Sequence, residues 1–452
     1  MKKQQKKKQI LSVKAGKGFS LINPHAAGID IGDTEHYVAV ENAEGHEVRR
    51  YDAFTMDLRD IVKWLKSIGI TTVAMESTGI YWLPLYLMLE SAGVEVYLVN
   101  AKSTKNVTGR KKDDSDAVWI QKLHRCGLLQ KSFQPEHEYR VLRNYVRQRK
   151  NLVTVGSDSV RRMQKALELM NIKVHTVISD LIGKSGMKII TSIIEGERNV
   201  EVLADLCDPR IQAPREEIIK SLQGIWSDEY LFMLKQAYKE YYFYQDQIKD
   251  CNKEIETQLL KQVAIVKDGD ITDVSEENAT KKKGKKNQFD FNVASNIKDI
   301  TGVDLCKIPG VNEITALELA AEIGTDMSKW PNGKHFAAWL NLTPNTKITG
   351  GKIISSKMMK KKNRAGQTLK MSASSLARNK TPLGDYYRRM RAKLGGKGAV
   401  LATAHKLARI IFVMLKDKKE YSTEMLIESQ EKFNLIRIKH LEKQLAKLKQ
   451  AA

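Results

Sequence analysis

The chain is poor in cysteine. It has four in 452 residues, Cys126, Cys207, Cys251 and Cys306, all far apart. Without a CxxC pair, neither a zinc ribbon nor a disulfide framework is indicated, and reduced thiols of a cytoplasmic compartment are the default. Also missing is any uninterrupted run of about 20 apolar residues, so no membrane span is expected. The start, MKKQQKKKQILSVKAGKG, lacks the long apolar stretch of a signal peptide, and residues 1–22 read as a solvated basic arm. Acids are scarce beside bases: 53 Asp and Glu face 76 Lys and Arg, a formal net charge of +23, with a pI near 9.6. That excess points to a polyanionic partner, most simply nucleic acid, because each phosphate contact releases counterions.

What is present divides into regions. AAGIDIGDTEHYVAVENAEGHEVRRYDAF reads as consecutive strands joined by tight turns, GHE being one turn candidate. MDLRDIVKWLKSIG and YWLPLYLMLESAG are helical patterns that stop at Gly69 and Gly93. TTVAMES and VEVYLVN are short strands, and a further helix is expected to start near Asp113. This order predicts a mixed α/β sheet with helices on its faces over 23–132. Residues 133–265 read as helical. Within them Tyr230, Leu234, Ala237, Tyr241, Tyr244, Ile248, Cys251 and Ile255 alternate in steps of four and three. That is a coiled-coil seam, or equally one long helix packed in its own bundle. Residues 266–298 are polar and charged and read as a linker. A second compact, mostly helical region follows over 299–418. A lysine-rich helix over 419–452, with Ile438, Leu441, Leu445 and Leu448 at seam spacing, is either a short coiled coil or an amphipathic tail.

Four acids stand out by placement. Asp30 lies in GIDIG on the first core strand, and Glu76 in VAMESTG at a strand end. Asp113 and Asp116 are three apart at the expected helix start, where their Cβ atoms would share a face about 5–6 Å apart. Asp114 would turn away as a helix-start acid. Taken singly, each has an ordinary explanation: a turn, an exposed strand end, complementing the helix dipole. Together they form an oxygen-donor set suited to Mg²⁺, two ions of which can clamp both oxygens of a phosphodiester transfer. Arg110, Lys111 and Lys112 beside them read as phosphate contacts.

In the second region IPGV, residues 308 to 311, is followed by a helix. It resembles the turn of a helix-hairpin-helix, whose backbone N–H groups meet a phosphate at Gly310. Further on, Thr349 precedes Gly350 and Gly351 inside a cationic run containing Lys347, Lys352, Lys357, Lys360, Lys361, Lys362 and Arg364. The run is either a nucleic-acid-binding loop or the carrier of a nucleophilic hydroxyl.

GID, MESTG, the D-x-x-D-A run (Asp113, Asp116, Ala117) and HRCGLL resemble the DEDD transposases of bacterial insertion sequences. These are the bridge-RNA-guided recombinases, related to Piv-type DNA invertases. IPGVNEITALELAAEIG, FAAWLNLTP, TGGK, KKKNRAGQTL and ATAHKLARIIFVML resemble the family's C-terminal transposase domain in the same order. The resemblance covers residues 26–150 and 300–416. It implies a RuvC-like, RNase H-like first domain with Asp30, Glu76, Asp113 and Asp116 as Mg²⁺ ligands. It also implies a hydroxyl nucleophile that forms a covalent protein–DNA intermediate, and a structured noncoding RNA that selects donor and target DNA. Dimers pairing into tetramers, with each active site completed between subunits, are implied as well. The chain departs from the family at one place: Thr349 stands where the family has serine. Threonine keeps the hydroxyl but adds a methyl that stiffens χ1, and Ser355 and Ser356 are nearby alternatives.

Two other readings use the same residues. One is a RuvC-like endonuclease cutting with water, the other a catalytically inert nucleic-acid binder. A sugar-kinase-like ATPase also begins with GIDIG, but the second glycine-rich phosphate-binding turn it needs is not found. The interleaved tyrosines and arginines of Tyr139–Arg149 are expected either to stack on RNA or to pack a helix.

Overall fold

The computed structural model describes residues 9–11 (backbone only), 21–100, 115–267, 287–360 and 362–423, with the isolated residues 438 and 442. The chain forms two compact units, residues 1–134 and 135–452.

In the first unit a short strand, β1 (Gln9–Leu11), lies within the segment expected to be an arm. β2 (Ala26–Ile31), β3 (Glu35–Asn42) and β4 (Gly45–Asp52) form an antiparallel meander. The turn between β3 and β4 falls at Ala43 and Glu44, ahead of the GHE triplet, which already belongs to β4. α1 (Thr55–Ser67) follows, then β5 (Thr72–Glu76), α2 (Trp82–Ser91), β6 (Glu95–Val99) and α3 (Asp116–Arg125). The sheet order is β1-β4-β3-β2-β5-β6, with β5 and β6 parallel to β2 and to each other. This is the mixed sheet that the sequence predicts. α1 buries Leu58, Ile61, Trp64 and Leu65 on one stripe and ends as Gly69 turns to a φ of 74°. Gly93 stops α2 in the same way, with φ 78°. Strand alternation sorts the core. Ala27, Ile29, Val38, Val73 and Met75 pack with α1 and α2, while Ala39 and Ala74 face the α3 side with Ala117, Val118 and Ile120.

The second unit is mainly helical. α4 (His137–Leu169), α5 (Lys184–Glu195), α6 (Val200–Asp205), α7 (Arg215–Leu222) and α8 (Asp228–Lys267) come first. α4 and α8 are antiparallel: Gln262 Nε2 reaches Glu138 O at 3.3 Å, Arg149 Nε reaches Asn252 Oδ1 at 2.7 Å, and Ser159 Oγ reaches Glu240 Oε2 at 3.4 Å. The spaced seam of α8 is used inside the chain, with Leu234, Ala237, Tyr241, Ile248 and Ile255 buried. Of the two readings of that seam, these contacts fit packing in the protein's own bundle. Met163, Leu167, Met170, Ile189, Ile193 and Leu203 join Leu234 in a separate core at the far end of the helix pair.

Residues 268–286 of the expected linker lie outside the described residues. The rest of it is folded: Phe289 is buried and α9 (Val293–Thr301) begins well before residue 298. Then come α10 (Glu313–Ile323), α11 (Gly333–Trp339), β7 (Asn345–Thr349), β8 (Lys352–Lys357), α12 (Arg364–Ser375) and α13 (Pro382–Asp417). α10 is fastened to α4. Arg147 Nε and its terminal nitrogen meet both oxygens of Glu322 at 2.7 and 2.6 Å, Lys150 meets Glu318 at 2.8 Å, and the Tyr139 hydroxyl lies 3.1 Å from Thr325 Oγ1. Arg149 stacks 4.0 Å over the Phe289 ring. Of the two readings of Tyr139–Arg149, these contacts fit helix packing. α13 is long and apolar enough to pass for a membrane span by composition. It is bent at Gly395 (φ 72°, ψ 176°) and buries Thr403, Leu407, Ile411 and Met414 in the protein. The helix expected over 419–452 lies outside the described residues beyond 423, apart from 438 and 442.

One buried group ties α3 to the sheet. His124 is fully buried, its Nε2 2.9 Å from Thr72 Oγ1 and its ring 4.6 Å from that of Tyr97. Nδ1 is buried and has no partner among the described residues. A doubly protonated ring would bury an unmatched N–H, so burial pulls the imidazole pKa down to about 4, with Glu95 opposing weakly. The unfolded chain takes up this proton near the ordinary value of 6.5 and the folded chain does not. Stability from this site is therefore constant above that pH and falls as pH drops from there toward 4. The thermal midpoint should decline over that window in wild type and decline less in His124→Gln, measured by circular dichroism.

Candidate functional site

The site in the first unit begins with sheet register. Ile29 pairs with Met75 in parallel, so the next pair sets Asp30 beside Glu76, on neighbouring strands about 4.8 Å apart. Gly28, Asp30, Ala74 and Glu76 share the face opposite the α1–α2 core by period-two alternation. α3 lies on that face and runs antiparallel to β2. Ala117 and Gln121 straddle Gly28, and Gln121 Nε2 reaches back to Ala26 O at 3.4 Å. The N-terminus of α3, with Asp116 at its first position, therefore sits toward the strand ends that carry Asp30 and Glu76. At the other end of α3, Arg125 pairs with Glu41, and Asn23 Nδ2 donates to His124 O at 2.7 Å. Asp30 and Glu76 are half-buried and Asp116 is exposed.

Ser115 is the N-cap of α3, in extended conformation (φ −62°, ψ 153°), and its side chain accepts from the Val118 N–H. The helix thus starts at Asp116. That is later than the start near Asp113 that the sequence suggests. Asp113, Asp114, Arg110, Lys111 and Lys112 themselves lie outside the described residues. Among the described residues no group of three or more His, Cys, Asp or Glu is close enough to hold a metal ion. Among the described residues, the acids brought to this edge, Asp30, Glu76 and Asp116, offer carboxylate oxygens, which suit a hard divalent cation. Gly28, Ser115 and Gln121 were not singled out from sequence. Their signals were the small residues ahead of GID and a serine before an apolar helix.

In the second unit β7 and β8 form an exposed two-stranded ribbon. Gly350 and Gly351 have φ of 56° and 74°, the pair of left-handed residues that a two-residue hairpin demands. Thr349 is the last residue before this turn, paired with Lys352 and exposed. A register shift after Lys347 leaves Ile354 as the extra residue, with Ser355 opposite Lys347 and Ser356 opposite Thr346. Both serines sit farther from the tip. Lys347, Lys352 and Lys357 lie on the ribbon, and the exposed Lys362 and Arg364 lead into α12; Lys361 lies outside the described residues. Gly310 turns the chain into α10 with φ 85°, and a Cβ there would come within 2.9 Å of Ser372 O. That side of the turn is therefore packed against α12.

A family described as Transposase, the DEDD type of IS110 elements, matches residues 27–172, the region that holds Asp30, Glu76 and Asp116. One described as Transposase IS116/IS110/IS902 family matches residues 304–388, the region that holds Thr349. Together they take in just over half of the chain. The chain belongs to the IS110 transposase family. A comparison with curated proteins gives no match. The transposase is thus an enzyme of DNA rearrangement encoded by an insertion sequence, and its substrate is DNA.

The close fit at Gly28 is what sets α3, and with it Asp116, over the strand ends. A Cβ at Gly28 would lie 2.3 Å from the Ala117 carbonyl oxygen and from the Gln121 nitrogen. Gly28→Ala should destabilise the transposase by roughly 1–3 kcal/mol. Where it still folds, it should lose metal-dependent DNA cleavage. Thermal unfolding and a nicking assay on the same preparation check both.

Proposed function

We propose that the transposase is an RNA-guided DNA recombinase that cuts and rejoins strands through a covalent protein–DNA intermediate on Thr349. The observation that carries this reading is the placement of Asp30 and Glu76 side by side at the strand ends toward which the N-terminus of α3 points. Asp30, Glu76, Asp113 and Asp116 would hold Mg²⁺, two ions per site, with Mn²⁺ able to substitute. When bound, these ions stabilise negative charge on a scissile phosphate and ease loss of a hydroxyl proton. The partial positive charge of the α3 N-terminus acts in the same direction.

Thr349 presents its hydroxyl at the tip of an exposed cationic ribbon. As its Oγ1 bonds to phosphorus, one P–O bond of the strand breaks and the leaving oxygen takes up a proton. A DNA hydroxyl later attacks the phosphothreonine, forming the new strand and freeing the threonine. Lys347, Lys352, Lys357, Lys361, Lys362 and Arg364 neutralise the backbone phosphates, as do Arg110, Lys111, Lys112 and the turn at Gly310. A structured noncoding RNA reads donor and target by base pairing, and the net charge of +23 suits a protein that holds both RNA and DNA. The working form is a dimer pairing into a tetramer in the bacterial cytoplasm at the nucleoid. Phe232, Tyr242 and Phe243 form an exposed aromatic face on α8 in keeping with such assembly.

Adduct trapping on supercoiled plasmid tests the nucleophile. Thr349→Ala should abolish the covalent adduct and Thr349→Ser should keep it, with Mg²⁺ present. Adducts undiminished in Thr349→Ala would sink the assignment, and cleavage without adducts would mark water as the nucleophile. The carboxylates are tested separately. Asp30→Asn and Glu76→Gln should each lower cleavage by at least about a hundredfold, a loss of roughly 3 kcal/mol of barrier stabilisation, without lowering the thermal midpoint. Full activity in either variant would refute the metal-site reading.

A further inference from the structure

Beyond Gly395 the second half of α13 runs past α11, and between them lies a cavity of about 690 Å³. Lys406 and Arg409 line it from α13, Lys334 stands at its rim, and Ile410 and Val413 form an apolar wall. Tyr386, from the first half of α13, closes one side, its ring 4.4 Å from Lys406 Nζ. The charges here are of one sign. Burial lowers the Lys406 pKa, with Arg389 and Arg409 adding to the effect, and burial with Arg409 lowers that of His405. Among the described residues no carboxylate forms a salt bridge with Lys334, Lys406 or Arg409. Where α4 meets α10, by contrast, cations are matched with acids, as in Arg147–Glu322 and Lys150–Glu318. Lys406 is half-buried, with the exposed Arg409 and Lys334 on the same lining, and like charges gathered around a half-buried one cost stability unless an anion joins them. The space exceeds a bare phosphate and lies within the range of small-ligand pockets, and one wall is apolar where an anion alone needs none.

We propose that this cavity seats one unstacked nucleotide of a single-stranded stretch, its phosphate among Lys406, Arg409 and Lys334 and its base against Tyr386, Ile410 and Val413. This rests on the reading that the transposase handles nucleic acid. It assigns strand capture to residues other than Asp30, Glu76 and Thr349. An opened strand offers an unstacked base where a duplex does not, so the cavity discriminates between them.

The test is fluorescence anisotropy on the full chain. The probes are labelled single-stranded DNA and RNA of one sequence and the matching blunt duplex. The double variant Lys406→Gln with Arg409→Gln should bind single strands roughly tenfold more weakly and lose about one to two units of salt slope. Duplex binding should be little changed, and the DNA and RNA arms tell which strand the cavity takes. Because mutual repulsion is removed, the thermal midpoint should stay level or rise. If it falls, the charge-keeping pair Lys406→Arg with Arg409→Lys decides, since it should restore strand binding. Single-strand affinity and salt slope unchanged in a folded double variant would overturn the proposal, as would equal loss on duplex. So would a nucleoside monophosphate that fills the cavity without competing with the strand. If wild type binds no nucleic acid at all, the underlying reading falls too, which separates the two failures.

Discussion

At Gly28 a hydrogen atom is all that stands between β2 and the backbone of α3. That contact fixes the distance between helix and sheet. Ala117 and Gln121 straddle it, and the direction of the helix follows, because Gln121 reaches back toward Ala26. Ser115 then caps the helix at the end nearer the strand termini. Three separate stretches of sequence meet there only because one position carries no side chain. His124 and the Arg125–Glu41 pair hold the opposite end, so α3 is clamped along its length rather than hinged.

Much of this was legible beforehand, and the reason is locality. α1 and α2 announced themselves by apolar spacing and by stop signals at Gly69 and Gly93, all within one window of chain. Asp30 and Glu76 stood out because acids at the ends of buried strands need a purpose. What sequence could not provide was register: nothing in GIDIG or VAMESTG says that residue 30 pairs beside residue 76. The start of α3 was misplaced by three residues, since Ser115 accepts from Val118 and the helix begins at Asp116 rather than near Asp113. The seam of α8 was ambiguous by nature, because a heptad pattern names a face and not its partner. The cations of α4 were ambiguous for a related reason. The acids that meet Arg147 and Lys150, Glu322 and Glu318, lie 175 and 168 residues further along and become neighbours only in the fold.

Charge in the second unit is sorted rather than spread. Where α4, α8 and α10 pack, cations meet acids or aromatic faces, and those charges are used for packing. On the ribbon and around the α13 cavity, lysine and arginine stand in company of their own sign. The formal excess of +23 is thus a poor guide to where a phosphate would go, and the local balance of acids a better one.

The antiparallel pairing of α4 with α8 has a further consequence. The chain leaves α4 at Leu169 and returns at Asp228, and the register of the two helices makes those points near neighbours. α5, α6 and α7, with their own core, therefore occupy what is topologically an insertion into a helical hairpin. Neighbouring helices are joined elsewhere by turns of about 2–8 residues. A plug of this kind can be swapped, shortened or enlarged over generations without altering the path of the chain on either side. The architecture separates a part that is free to vary from the parts that carry Asp30, Glu76 and Thr349.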